Sequence, residues 1–253
     1  MRALVHAELL KLRTTRAPGW LLLAMLAMVV LIVAVQVDEA GTKDAPVPLD
    51  DPGLLAVTVA GGFNASLLLM VLLAGLAVTQ EFRYGTVTST CLAEPRRARV
   101  LAAKWLALNV TSLVITTVTL VVAVPLAVVL IASRDGAVGF GPLFWEVMAG
   151  GFFVMAALAT LGVAVGALVR NQVAAVVGVL VWMNVVERIV FPSYPTVGRW
   201  MPGPTTWAVM QMGAESDPDG KLLPLPASGL LLAAYIVVAV VLALRLTRKK
   251  DIR

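Results

Sequence analysis

Long apolar runs, broken by short polar loops, dominate the chain. Six of them reach the roughly 20 residues that a helix needs to cross a hydrocarbon core. They are Gly19–Val37, Leu54–Thr79, Trp105–Ala132, Leu143–Val169, Val173–Phe191 and Ser228–Leu246. Lipid offers no partner for backbone N–H and C=O groups, so each run is expected to bond along its own axis as a helix. Only Arg170, Asn171 and Gln172 divide the fourth run from the fifth, which predicts a tight turn between two spans. The fold class expected is an all-α integral membrane protein of six transmembrane helices, with residues 1–253 forming a single domain.

Composition supports this reading. Apolar residues make up 60% of the 253 and charged residues 14%, against about 45–50% and about 25% in soluble domains. The apolar run Trp20–Val37 is longer than the core of a signal peptide, and no small-x-small cleavage site follows it. The chain is therefore expected to start with a retained span.

Charge sign alternates from loop to loop. Arg2, Lys11, Arg13 and Arg16 lie in the head. Arg83, Arg96, Arg97, Arg99 and Lys104 follow the second span, Arg170 follows the fourth, and Arg248, Lys249, Lys250 and Arg253 lie in the tail. The intervening loops carry Asp38, Glu39, Asp44, Asp50 and Asp51 with Lys43, then Arg134 with Asp135, then Glu215, Asp217 and Asp219. Lys and Arg favour the cytoplasmic side, so both termini are expected in the cytoplasm.

Few ionisable residues interrupt the spans. Glu146 falls near the outer start of the fourth, and Glu187 and Arg188 fall near the outer end of the fifth, where they are expected to pair locally. An ion-coupled carrier needs a titratable group deep in the membrane, and none is placed near the centre of a span. His6 is the single histidine and Cys91 the single cysteine, which argues against a metal site, a disulfide or a catalytic triad. Gly220-Lys221 is followed by Leu222 and lacks the upstream glycine of a phosphate loop. The chain is expected to have no catalytic site, metal or cofactor of its own. Asn64, Asn109 and Asn184 lie within spans and suit either interhelical hydrogen bonds or a substrate path. Gly162-Val-Ala-Val-Gly166 permits close helix packing, within or between subunits, and Pro125 predicts a kink.

Two polar segments carry more pattern. The head places Val5, Leu9 and Leu12 on one helical face and Lys11, Arg13 and Arg16 within reach of lipid phosphates, which suits an interfacial helix. Pro18 and Gly19 are expected to turn the chain into the membrane. In residues 80–104, Gly85 allows a sharp turn and Thr86 can cap a short helix running to about Ala93. Pro95 suits the first position of a second helix, from Arg96 through Lys104 into the third span. This predicts a helical hairpin.

With these motifs the sequence resembles the membrane (permease) subunit of bacterial type-2 ATP-binding-cassette (ABC) exporters. The resemblance rests on Glu8-Leu9-Leu10-Lys11-Leu12-Arg13-Thr14-Thr15-Arg16, on Glu81-Phe82-Arg83-Tyr84-Gly85-Thr86, and on Pro95-Arg96-Arg97 with Lys104. It implies that residues 1–18 are an elbow helix and residues 80–104 a coupling loop seated on a separate ATPase. Glu81, Phe82, Arg83, Tyr84, Gly85, Thr86, Arg96 and Arg97 would belong to the coupling element. The partners implied are ABC ATP-binding subunits, which would bind ATP and Mg, and a second permease copy, with membrane lipid around them and no nucleic acid.

The outer loop, residues 192–227, carries Tyr194, Trp200 and Trp207 just after Phe191, as an interfacial segment would. Thr205 or Thr206 is expected to cap a short helix ending at Gly213. By the resemblance, this loop forms short outer re-entrant helices before the last span. The second and fifth spans of two copies would line a cavity, with Phe63, Asn64, Met70, Trp182 and Asn184 as candidate path residues suited to an apolar or amphipathic substrate. The function expected is that of the transmembrane subunit of an ATP-driven exporter. The alternative is a non-transporting anchor or sensor for a cytoplasmic partner. An intramembrane enzyme is disfavoured by the lack of a nucleophile–base pair.

Overall fold

The computed structural model describes residues 1–42, 45–86, 92, 94, 96–212 and 220–249. A short helix, α1 (Arg2–Thr14), precedes five long ones: α2 (Arg16–Ala40), α3 (Leu54–Arg83), α4 (Arg97–Ala132), α5 (Pro142–Val169) and α6 (Gln172–Ser193). Two short helices, α7 (Pro195–Gly198) and α8 (Pro202–Val209), lead to the last long helix, α9 (Leu225–Lys249). Among the described residues, six helices are long and apolar enough to cross a membrane: α2 to α6 and α9. No strand forms among them. The expected all-α architecture is present.

Helices α3 and α5 form the centre. Helix α3 packs against α2, α4, α5 and α6, and α5 also meets α4, α6, α8 and α9. Their shared seam explains the paired glycines. A Cβ on Gly162 would come within 2.5 Å of the Val71 carbonyl oxygen, and one on Gly166 within 2.7 Å of the Gly75 carbonyl oxygen. The small-xxx-small motif therefore works inside one chain, holding two backbones closer than any side chain would allow. Phe63, Met70 and Met155 fill the space beside it and are fully buried.

The helix boundaries follow from local chemistry. The break between α1 and α2 falls at Thr15, whose extended backbone (φ −88°, ψ 144°) ends the first helix. Its N–H and its hydroxyl both donate to the Lys11 carbonyl. The turn thus comes before the expected Pro18-Gly19 position, and Pro18 lies in the first turn of α2, where no intrahelical N–H bond is lost. Arg170, in the left-handed region (φ 55°), ends α5. The Asn171 side chain then accepts the Ala174 N–H at 3.0 Å to start α6, so the shortest expected loop does separate two spans. Helix α4 runs without interruption through Pro125.

Helix α8 starts differently from expectation. Pro202 occupies its first turn behind Met201, as suits a residue without an N–H. Thr205 and Thr206 are inside the helix, fully buried, and their hydroxyls donate to the carbonyls of Met201 and Gly203. Neither is a cap. The helix ends at Val209, ahead of the expected Gly213, which lies outside the described residues. Trp207 is partly buried against the bundle. It donates to Asn64 Oδ1 at 2.9 Å and stands edge-on to Phe191, while Tyr194 and Trp200 are exposed.

Candidate functional site

Helix α1 docks on the bundle through charge. Its buried residue is Glu8, flanked on the same face by Leu4, Val5, Lys11 and Leu12, all partly buried. Lys104 on α4 donates to the carboxylate of Glu8, to Glu81 Oε1 at 3.1 Å and to the Ala77 carbonyl at 3.3 Å. These acceptors use all three donors of an ammonium. Lys11 completes the cluster, at 2.6 Å from Glu8 Oε1 and 2.7 Å from Glu81 Oε1. The Lys104 and Glu8 side chains are 6% and 8% exposed. Two acids and two bases thus tie α1, α3 and α4 together beside a cavity of about 250 Å³ that Tyr84 and Thr86 also line.

The titration of this cluster has a definite sign. Burial pushes the Glu8 carboxyl up, but the Lys104 and Lys11 ammonium groups outweigh it and hold the group below its ordinary 4.5. Burial pushes the Lys11 ammonium down, and its bonds to Glu8 and Glu81 outweigh that and hold it above its ordinary 10.5. A lowered acid contributes stability that is complete above its unfolded value and lost as pH falls through the folded one. A raised base contributes stability that is complete below its unfolded value and lost as pH rises through the folded one. Amide exchange protection of α1, corrected for intrinsic rates, should therefore be level across the neutral range and fall only at the two extremes. A drop between about pH 6 and 8 would contradict this assignment.

Glu81 and Phe82 face the bundle, whereas Arg83, Tyr84, Gly85, Thr86 and Arg96 are exposed. Gly85 adopts a positive φ of 68°, the sharp turn expected of it. The expected helix from Thr86 to Ala93 falls largely outside the described residues, as do Pro95, expected at the first position of the second helix, the side chain of Arg97 and Cys91. The second helix starts at Arg97, and the Arg96 N–H donates to Glu94 Oε1 at 3.2 Å just before it. Two contacts join this end of α3 to the α5–α6 turn. Arg83 donates to Gln172 Oε1 at 3.0 Å, and the Arg170 guanidinium stands 5.5 Å from the centre of the Phe82 ring. Glu81 thus links this end of α3 to α1 and α4, and Arg83 links it to α6.

The five candidate path residues do not share one wall. Phe63 and Met70 are buried in the bundle, and Asn64 is bound to Trp207. Asn184 is exposed on α6 and donates to the Leu180 carbonyl of its own helix. Trp182 alone of the five borders an apolar cavity of about 310 Å³, between α3, α5, α6 and α8. Asn109 does what an intramembrane amide commonly does, donating to Thr160 Oγ1 across the α4–α5 contact at 3.1 Å.

Comparison with known families fits this architecture. Residues 4–186 match the sequence profile described as ABC-2 family transporter protein. The chain belongs to the ABC-2 transporter family. A search of curated proteins finds no match. Membership and six apolar helices make the chain a multi-pass membrane protein and a component of a transport system. The family is itself a membrane component rather than a catalyst and implies association with ATP-binding subunits. The matched stretch includes α1 from Leu4 onward, so the ion cluster lies within the family's own region.

Sequence reasoning missed three of the polar residues that organise this ABC-2 protein. The sequence gives Glu8 no role of its own and Lys104 only a place among the loop charges and motifs, although Glu8 shares a helical face with Leu12 (i, i+4) and Lys11 (i, i+3). Glu187 was expected to pair with Arg188. Adjacent residues on a helix point in different directions, and the structure buries Glu187 while leaving Arg188 exposed.

Proposed function

We propose that this ABC-2 protein is the permease subunit of an exporter for apolar or amphipathic substrates, driven by separate ATP-binding subunits on the face that carries both termini. In this reading that face is cytoplasmic in a bacterial inner membrane, two permease copies form the path, and the ATPase subunits hold ATP and Mg. The observation that carries the proposal is the join between an exposed Arg83–Tyr84–Gly85–Thr86 turn and three membrane helices through Glu81–Lys104 and Arg83–Gln172. Such a turn offers a docking partner a Tyr and an Arg, residue types that dominate interface energies. It also connects whatever docks there to the spans. Helix α1 serves as the elbow and moves with the hairpin because Glu8 and Lys11 bind the same partners.

The test uses the purified permease with its ATP-binding subunit in vesicles. Arg83→Glu combined with Tyr84→Ala should weaken subunit association by about 2 kcal/mol or more and abolish substrate-stimulated ATP turnover. Unchanged association and unchanged turnover in the double variant would remove the docking assignment.

A further inference from the structure

Glu187 is a carboxylic acid inside a membrane span, 2% exposed, and among the described residues no lysine or arginine forms an ion pair with it. Its partners are neutral. Trp182 Nε1 donates to Oε1 at 2.7 Å, and the Gly203 backbone N–H supplies a second hydrogen bond. Gly203 permits this close approach, since a Cβ would fall 2.0 Å from Glu187 Oε2 as it is placed. The helix is irregular at this place, with Trp182–Val186 forming a π turn immediately before the acid. Such bulges disturb the hydrogen-bond ladder and are frequent at functional sites.

Trp182 and Gly203 are also wall residues of the apolar cavity of about 310 Å³, whose lining includes Val71, Leu158, Met183 and Thr206. Its size is near the lower end for small-molecule sites, which run from about 300 to 1,000 Å³. Trp182 is 46% exposed, so this wall reaches the surface of the bundle. The indole therefore stands between an apolar chamber and a buried acid that forms no ion pair among the described residues. Carboxylates within spans are rare, and they pair with a partner or mark a ligand path.

We propose that this cavity binds an organic cation with an apolar body, its charged group taken by Glu187 once the Trp182 indole swings aside. The hydrocarbon part fills the chamber walled by Val71, Leu158 and Met183. The cation replaces the indole N–H as the partner of Oε1, and the displaced ring can lie against it, since cations are attracted to the indole face. A neutral molecule of the same shape would gain the apolar contacts and leave the acid with its present partners. An anionic one would be repelled. The site thus selects cationic over neutral and anionic amphiphiles. The inference rests on the reading of the chain as a permease for amphipathic substrates, and it narrows that substrate class by charge.

Equilibrium dialysis of the full chain in neutral-detergent micelles tests it, with benzyltriethylammonium as probe and its uncharged carbon isostere as control. Glu187→Gln should weaken binding of the cation by about tenfold or more and leave the isostere within about twofold. Trp182→Phe, which removes the competing donor and keeps an aromatic wall, should bind the cation at least as well as the native protein. Equal cation binding by the native chain and Glu187→Gln overturns the proposal, and so does parallel loss in both variants, which would indicate a purely structural latch. Should Glu187→Gln fail to fold, the native protein still decides. The cation should slow covalent labelling of Glu187 by dicyclohexylcarbodiimide, read by mass spectrometry, and unchanged labelling overturns the proposal. Glu187-dependent binding without ATP-driven transport of any amphiphile would leave the site standing and remove the exporter reading. Transport with Glu187-independent binding would do the reverse.

Discussion

Replacing Lys104 with methionine should destabilise the protein by about 3–5 kcal/mol, the usual result of removing one partner from a buried ion pair. The reason is specific to this cluster. Lys104 is the most buried of the four charged groups and the one bonded to both acids and to the backbone of α3. Without it, Glu8 and Glu81 share only Lys11, whose side chain is 42% exposed. Helix α1 should then leave α4, and the midpoint of thermal unfolding should fall. Adding Glu8→Gln and Glu81→Gln should recover much of the loss, because no uncompensated charge would remain. A triple variant no better than Lys104→Met alone would show that the cluster holds α1 by packing rather than by charge.

Gly162→Leu should prevent the bundle from forming, and Gly162→Ala should already cost about 1–3 kcal/mol or more, as overpacked interiors do. Even a methyl group there would sit 2.5 Å from the Val71 carbonyl and 2.7 Å from the Ala74 Cβ, and both obstacles belong to the central helix. The comparison position is Gly178 on α6, where a Cβ would meet nothing within 4 Å. Gly178→Ala should be neutral or slightly stabilising, since alanine lowers the entropy lost on forming a helix. Size-exclusion profiles and thermal midpoints of the two alanine variants make the test. Similar behaviour at the two positions would mean that the α3–α5 seam is not where the structure puts it.

The spans were legible in the sequence because lipid removes alternatives: a long apolar run has one way to satisfy its backbone. The turn at Gly85 and the short link at Arg170–Gln172 were legible for similar reasons of limited choice. What could not be read was which face of each helix meets which neighbour. The head was read through Val5, Leu9 and Leu12, but its buried face centres on Glu8, because the surface it meets is the polar junction of Lys104 and Glu81 rather than lipid alone. The glycine pair announced a close approach without naming α3 as the partner. Phe63 and Met70 share the second span with Asn64, and their position on α3 places them inside the chain's own core. Thr205 and Thr206 drew attention as caps, although Pro202 is the stronger start signal.

The central claim is that the spans do work only when an ATPase loads the Arg83–Thr86 turn. Reconstitution in sealed vesicles tests it most directly, with uphill movement of an amphipathic fluorophore followed in the presence and absence of the ATP-binding subunit. The account predicts ATP-dependent accumulation with the subunit present, and none by the permease alone under an imposed proton or sodium gradient. Sustained accumulation by the permease alone would contradict it.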